Sequence, residues 1–294
     1  MNPMDLLPMR IEELVHELSV LPFNDLHGTV TSPLTLTNYT FWGLIALVTT
    51  ILFFTLVATK QRQRIAAAEA SGKATDLAPT GRLTGMLEAG VEFVRDMAVD
   101  VIGPKDGPKY VAFLCTIFFM ILISNMYGLI PGAKSFAGSI GGTVALALVV
   151  WVVFVFVGFK KNGAFGYMKS LIPEGVRKMP LAARIGLGGF IFLLEFISTF
   201  LVRPLTQSVR LFANMYAGHV ILGVFGSFVW LFVPIIKMQA EQSFSVGGAG
   251  IGLLAMVFLI IMYAFEVFVA FIQAYVFTIL TAVYIQSSVH ASEH

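Results

Sequence analysis

The sequence predicts an all-α protein that crosses a membrane several times, and three observations carry that prediction. Of its 294 residues, 57% are hydrophobic and only 12% are charged, against roughly 25% charged in a soluble domain. The mean hydropathy is +0.84. Runs free of Asp, Glu, Lys and Arg recur at lengths near the about 20 residues a helix needs to cross a bilayer. The expected architecture is about five membrane-embedded helices plus an amphipathic surface helix, the last two spans long, strongly tilted and paired as an antiparallel hairpin.

In chain order, residues 1–38 form an external N-terminal segment, and 39–294 a single membrane domain. The N-terminal segment carries Asp5, Glu12, Glu13, Glu17 and Asp25 against Arg10. No short apolar core follows a basic start, so a secretory leader is not expected, and the acidity argues against a mitochondrial transit peptide. The first span is 39–58 (YTFWGLIALVTTILFFTLVA), the second 110–130, ending in SNMYGLIPG, and the third 142–159 (GTVALALVVWVVFVFVGF). Between the first two lies RLTGMLEAGVEFVRDMAVDVIG, about 82–103. Its Glu88, Glu92, Asp96 and Asp100 recur every four residues and so share one helical face. Leu87, Val91, Val94 and Met97 tend to the other side, as in a helix at the cytoplasmic membrane surface, against a partner, or capping the bundle.

The last two spans, 186–224 and 248–288, are too long for a simple crossing. A 39-residue helix rises about 58 Å, whereas the hydrocarbon core is about 30 Å thick. Slanted, bent helices are expected rather than broken ones, with Pro204 bending the first and VGGAGIG at 246–252 loosening the start of the second. That glycine cluster is no nucleotide loop, since no strand precedes it and the G-x-G-x-x-G spacing fails.

Charge placement orients the chain. The 60–109 loop holds eight Lys and Arg and the 160–185 loop six, against Arg10, Lys134 and Lys237 in all the alternate connections. By the positive-inside rule the N-terminus lies outside and, after five crossings, the C-terminus lies in the cytoplasm. A bacterial inner membrane is the simplest setting. The net charge of +2 gives no reason to expect nucleic acid. The single cysteine, Cys115, lies in an apolar run and suits inert packing. Neither a metal nor a cofactor is expected.

Arg203 and Arg210 remain, inside the first long span. At 100° per residue, Glu195, Thr199, Arg203, Thr206, Gln207, Arg210 and Asn214 fall within about 60° of one direction. An Arg or Asp at mid-membrane costs about 2.5–3.5 kcal/mol even on the mildest scale, so this stripe must face water, protein or a moving polar group. Interhelical packing by Thr and Gln is the plainer alternative. His219 lies about 180° around the helix from Arg210. The second long span has one charge, Glu266, and Gln273 shares its face. In an antiparallel hairpin turning near residue 243, His219 comes opposite Glu266 and Asn214 opposite Gln273 in nearly one register. A buried glutamate needs a partner or a proton, and His219 is the expected partner. A purely structural pair is the alternative.

At these residues the chain strongly resembles subunit a of the F-type rotary ATP synthase. The carrying motifs are RPLTQSVRLFANMYAGH at 203–219 and FEVFVAFIQAYVFTILTAVYI at 265–285, with weaker support from TIFFMILISNMYGLIPG at 116–132. With the five-span layout, the resemblance covers nearly everything after residue 38. It implies that Arg210 is the arginine facing a ring of c-subunits and that Asn214 and Gln273 are polar positions close to it. It implies that His219 and Glu266 belong to a half-channel open to the outside, and that Asn125 is a polar position on an earlier span. Gly128 departs from the pattern, standing where some members carry an acid. The partners implied are the c-subunit ring, peripheral-stalk b-type subunits, the remaining F1F0 subunits and the lipid bilayer.

The mechanism that the resemblance implies needs these residue types. A ring carboxylate can face lipid only when neutral and must ionise on meeting this subunit. Arg210, permanently protonated, stabilises the ionised form and blocks direct proton passage. His219, Glu266, Asn214 and Gln273 would line the outer path. Glu195 and Thr199 would line the cytoplasmic one, with Arg203, Thr206, Gln207 and Asn125 as further polar candidates. The expected role is a non-catalytic, ion-translocating stator, since neither a phosphate loop nor a nucleophile–base pair is present. A secondary ion transporter is the alternative, although no convincing inverted repeat supports it. A structural scaffold and a membrane enzyme are more distant rivals.

Overall fold

The computed structural model describes residues 38–71, 82–130, 133, 135–163, 166–168, 181–232 and 246–290. Among them are seven α-helices and no strand: α1 Asn38–Ser71, α2 Arg82–Ile102, α3 Gly107–Gly128, α4 Ile140–Asn162, α5 Leu181–Ile197, α6 Arg203–Phe232 and α7 Val246–Val289. A short 3-10 helix, Phe136–Gly138, precedes α4. The N-terminal segment expected to lie outside, apart from residue 38, the expected turn near residue 243 and Lys134 fall outside the described residues.

Five helical segments are long and apolar enough to cross a membrane: Tyr39–Ala66, Gly107–Gly128, Ile140–Asn162, Gly186–Val229 and Gly252–Val289. The last two have 44 and 38 residues, so at about 1.5 Å per residue each exceeds the bilayer core. Neither is interrupted. The glycines of 246–252 do not loosen α7, which is helical from Val246 onward. Between α5 and α6 the helix widens into a π turn, Ser198–Val202, where Arg203 N–H donates to the Ser198 carbonyl. Pro204 follows at once. Its ring lacks an N–H and crowds the carbonyl four residues back, and the wide turn accommodates it while the helix continues.

Two glycines with positive φ set the ends of neighbouring helices. Gly103 (φ 105°) follows α2 and Gly163 (φ 72°) follows α4, the left-handed position that glycine takes past a helix C-terminus.

The described chain packs as two compact units. One comprises residues 38–42, 124–130, 133, 135–143, 209–232 and 246–273. In it Trp42 packs on Tyr127, the Ser124 and Ser135 hydroxyls meet at 3.3 Å, and the rings of Phe225 and Phe258 stack. Ser135 also caps the 3-10 helix by accepting from Ala137 N–H. The other comprises 43–71, 82–123, 144–163, 166–168, 181–208 and 274–290. Its centre is aromatic: Phe53 and Phe54 meet Phe119, while Phe93 meets Phe118 and Tyr275. Here α2 buries Val94, Met97, Ala98 and Ile102 and turns Glu92, Asp96 and Asp100 outward. Glu88 instead pairs with Arg64 of α1. In the same unit Asn162, at the end of α4, donates to the Ser288 carbonyl of α7 at 2.8 Å.

Candidate functional site

The first unit holds the polar residues of α6 beyond Ser208, together with those of α3 and α7. Arg210 is exposed and takes neither an ion pair nor a hydrogen bond among the described residues. An arginine has five N–H donors and a permanent charge, and among the described residues none of them is engaged. One turn on, Asn214 Nδ2 donates to Gln273 Oε1 at 2.8 Å. Gln273 is 4% exposed, Glu266 6% and Asn125 2%.

Glu266 lies with its carboxylate directly over the Cα of Gly218, where a Cβ would collide with both oxygens. It forms no ion pair among the described residues. His219, which the sequence sets opposite Glu266, approaches Gly128 of α3: its Nε2 lies 3.1 Å from where a Cβ of Gly128 would stand. The Met215 Sδ-methyl fills the same space. An acidic side chain at position 128 has no room, which gives a steric reason for the glycine there. Within this unit the α6 residues pair with α7 in descending order, Asn214 with Gln273, Gly218 with Glu266 and Phe225 with Phe258.

Asn125, Asn214, Glu266 and Gln273 together line one cavity, walled otherwise by side chains such as Leu129 and Leu211. It admits a water centre over about 10 Å³.

The second unit holds the residues that precede Arg210 on the chain. Glu195 and Arg203 form an ion pair at 2.8 Å, and the Arg203 guanidinium lies 5.3 Å from the ring centre of Tyr284. Eight residues apart, they would diverge by about 80° on a straight α-helix. The π turn between them takes up one residue, so they stand as residues seven apart do, on one face. Thr199, inside that turn, is 1% exposed with an unpartnered hydroxyl. Gln207 is turned into the protein, its Nε2 donating to the Phe277 carbonyl and the Thr281 hydroxyl, each at 3.3 Å. Thr206 donates to the Val202 carbonyl of its own helix at 2.8 Å. Gln207 and Thr206 are thus engaged in helix contacts, while Glu195, Thr199 and Arg203 gather at the π turn.

Among the described residues no three His, Cys, Asp or Glu side chains gather as metal ligands. The arrangement offers a bare fixed cation, a buried carboxyl, amides and one-water space. Those groups suit the movement of a charge or proton. Sequence reasoning missed Tyr284 beside Arg203, Thr281 beside Gln207, and Gly218 beneath Glu266. The register that sets Asn214 opposite Gln273 also sets Arg203 opposite Tyr284, so that signal was present in the spacing. The π turn has no such spacing signal.

Residues 40–286 match the family described as ATP synthase A chain. A relative named ATP synthase subunit a from Arthrobacter sp. (strain FB24) is 40% identical over 217 residues, 73% of this chain and 76% of that one. Its namesake in Pseudarthrobacter chlorophenolicus is 37% identical over 253 residues, 85% and 84% of the two chains. The one in Nitrobacter hamburgensis is 39% identical over 210 residues, covering 71% and 77%.

Proposed function

The chain belongs to the ATP synthase A chain family, and from that premise we propose that it is the stator subunit that carries protons past the rotating c-ring. It is a multi-pass membrane subunit of the synthase complex, and ATP chemistry falls to partner subunits. The observation that carries the reading is Arg210, exposed on an apolar helix and without a partner among the described residues.

The ring supplies the missing partner. A c-subunit carboxyl travels through lipid protonated, because a bare charge there costs several kcal/mol. On reaching Arg210 it ionises, since a cation within about 4–6 Å lowers a carboxyl pKa by about 1–3 units. The released proton leaves by one aqueous path, and the next carboxyl is loaded from the other. Asn214, His219, Glu266 and Gln273, with Asn125 beside them, serve the path to the outside. Glu195, Thr199 and Arg203 serve the cytoplasmic path. The fixed charge of Arg210 keeps a proton from crossing between the paths without turning the ring. Peripheral-stalk b-type subunits hold the chain still against that torque.

The deciding experiment replaces Arg210 in the intact complex. Arg210→Ala should assemble normally yet lose coupled ATP synthesis by about tenfold to a thousandfold, the range set by a shift of 1–3 pKa units. Full synthesis by the alanine variant would refute the assignment.

A further inference from the structure

Arg203 and Arg210 share one polar stripe of the sequence, yet the fold treats them differently. Arg210, in the first unit, is exposed and unpaired among the described residues. Arg203, in the second, is held twice. Its Nη2 meets Glu195 Oε1 at 2.8 Å, and its guanidinium carbon lies 5.3 Å from the centre of the Tyr284 ring.

The ion pair alone is a weak hold. The Glu195 side chain is 42% exposed, and a part-exposed pair constrains a long, rotamer-rich arginine poorly. The ring supplies what the pair lacks. An aromatic face attracts a cation within about 6 Å of its centre, and a planar guanidinium stacks there readily. The ring is itself braced, because the buried Phe154 of α4 packs on it with ring centres 5.6 Å apart. The Tyr284 hydroxyl takes no hydrogen bond among the described residues, so the ring is the part that is engaged.

A second loose cation on the stripe would do harm. An ionised carboxylate is stabilised by whichever cation reaches it, so a free Arg203 would offer the passing c-ring carboxyl another resting place. We propose that Tyr284 is a positioning residue, its ring keeping Arg203 on Glu195 so that Arg210 alone meets the c-ring carboxyl. This role rests on the reading of Arg210 as that carboxyl's counter-charge. Arg203 then serves the cytoplasmic path from a fixed place beside Glu195.

The test uses the intact synthase in vesicles. Tyr284→Leu should lower ATP-driven proton pumping about fivefold, the equivalent of about 1 kcal/mol of cation–π attraction at about 1.36 kcal/mol per tenfold in rate. Tyr284→Phe, which keeps the ring, should recover most of that loss. Adding Arg203→Gln to Tyr284→Leu should raise pumping again severalfold, because the competing charge is gone. A residue needed only for packing would gain nothing from removal of the arginine. Should Tyr284→Leu fail to assemble, phenylalanines with one, two and three ring fluorines in place of Tyr284 decide. Fluorine weakens the pull of the ring face on a cation at nearly constant shape, so pumping should fall stepwise. A flat series, full pumping in Tyr284→Leu, or no rescue by Arg203→Gln overturns the proposal.

The two readings fail separately. In a cryo-EM map of the synthase the Arg203 guanidinium should lie between Glu195 and Tyr284, and it should leave that place in Tyr284→Leu. If Arg210→Ala keeps coupling while Arg203 moves in this way, the stator assignment falls and the clamp stands. If Arg210→Ala uncouples while Tyr284→Leu pumps fully, the reverse holds.

Discussion

Gly218 shows how much one missing methyl can matter. The Glu266 carboxylate rests on its Cα, and a Cβ would strike both oxygens. Alanine is otherwise the better helix residue, by about 0.8–1 kcal/mol, so stability and proton flow should move apart. Gly218→Ala is expected to leave the melting temperature of the complex unchanged or raised, while passive proton conductance falls severalfold. Equal conductance would mean that the position of the carboxyl is immaterial. The same sterics mark the limit of what the sequence reveals at this scale. Arg210 and Glu266 stand out unaided, because charge in an apolar run is costly wherever it points. Gln207 and Thr206 do not sort themselves. A hydroxyl or amide on a membrane helix serves packing as readily as a path, and only the partners, the Phe277 and Val202 carbonyls, separate the two uses.

At the scale of the element, the π turn at Ser198–Val202 governs which residues share a face. Because it takes up one extra residue, removing one from it should leave the helices on either side in phase. Adding one should rotate them by about 100°. Deletion of Leu201, an exposed residue in the turn, should therefore retain assembly and the Glu195–Arg203 pair. Insertion of an alanine after Leu201 should abolish ATP-driven proton pumping. Equal loss from both changes would sink the phase argument. The sequence carries Pro204, a reason for distortion, but not its form, because a bend and a wide turn satisfy proline equally well.

A second element-level device joins the starts and ends of helices. Asp106, just before α3, meets Lys109 at 2.6 Å and Lys161 of α4 at 2.9 Å. The hydrogen bond from Lys109 leads, with that from Lys161 next, in lowering the Asp106 carboxyl from 3.8 to about 2. A carboxyl lowered on folding stabilises the folded state above its unfolded pKa, and that contribution disappears as pH falls from near 4 through about 2. Both lysines are exposed, so the stabilisation is modest, below about 1 kcal/mol, and screened by salt. Melting curves in detergent should place Asp106→Asn slightly below the unaltered protein at pH 6 and level with it near pH 2. A gap that persists undiminished at the lower pH would assign the effect to something other than charge.

At the scale of the whole molecule, the chain leaves its longest spans uncovered. Only 11% of an apolar stretch of Gly186–Val229 and 17% of one in Gly252–Val289 are buried within the protein, against 50% for Gly107–Gly128. The spans that carry Arg210 and Glu266 are therefore the ones whose apolar stretches the described residues cover least. Five crossings were legible because hydropathy over some 20 residues is a bulk property. The division into two compact units was not, since it depends on contacts among side chains far apart in sequence. Orientation rests on charge alone. Fourteen Lys and Arg lie in the 60–109 and 160–185 loops and three in the alternate connections, a bias that holds short basic loops in the cytoplasm. An odd number of crossings then separates the termini. A reporter that fluoresces only in the cytoplasm should shine when fused after His294 and stay dark when placed before Asn38, whereas a periplasmic phosphatase should give the opposite pattern. Activity of both reporters on one side would remove a crossing. A clean inversion would leave the helices intact and exchange the assignments of His219 with Glu266 and of Glu195 with Arg203 between the outer and inner paths.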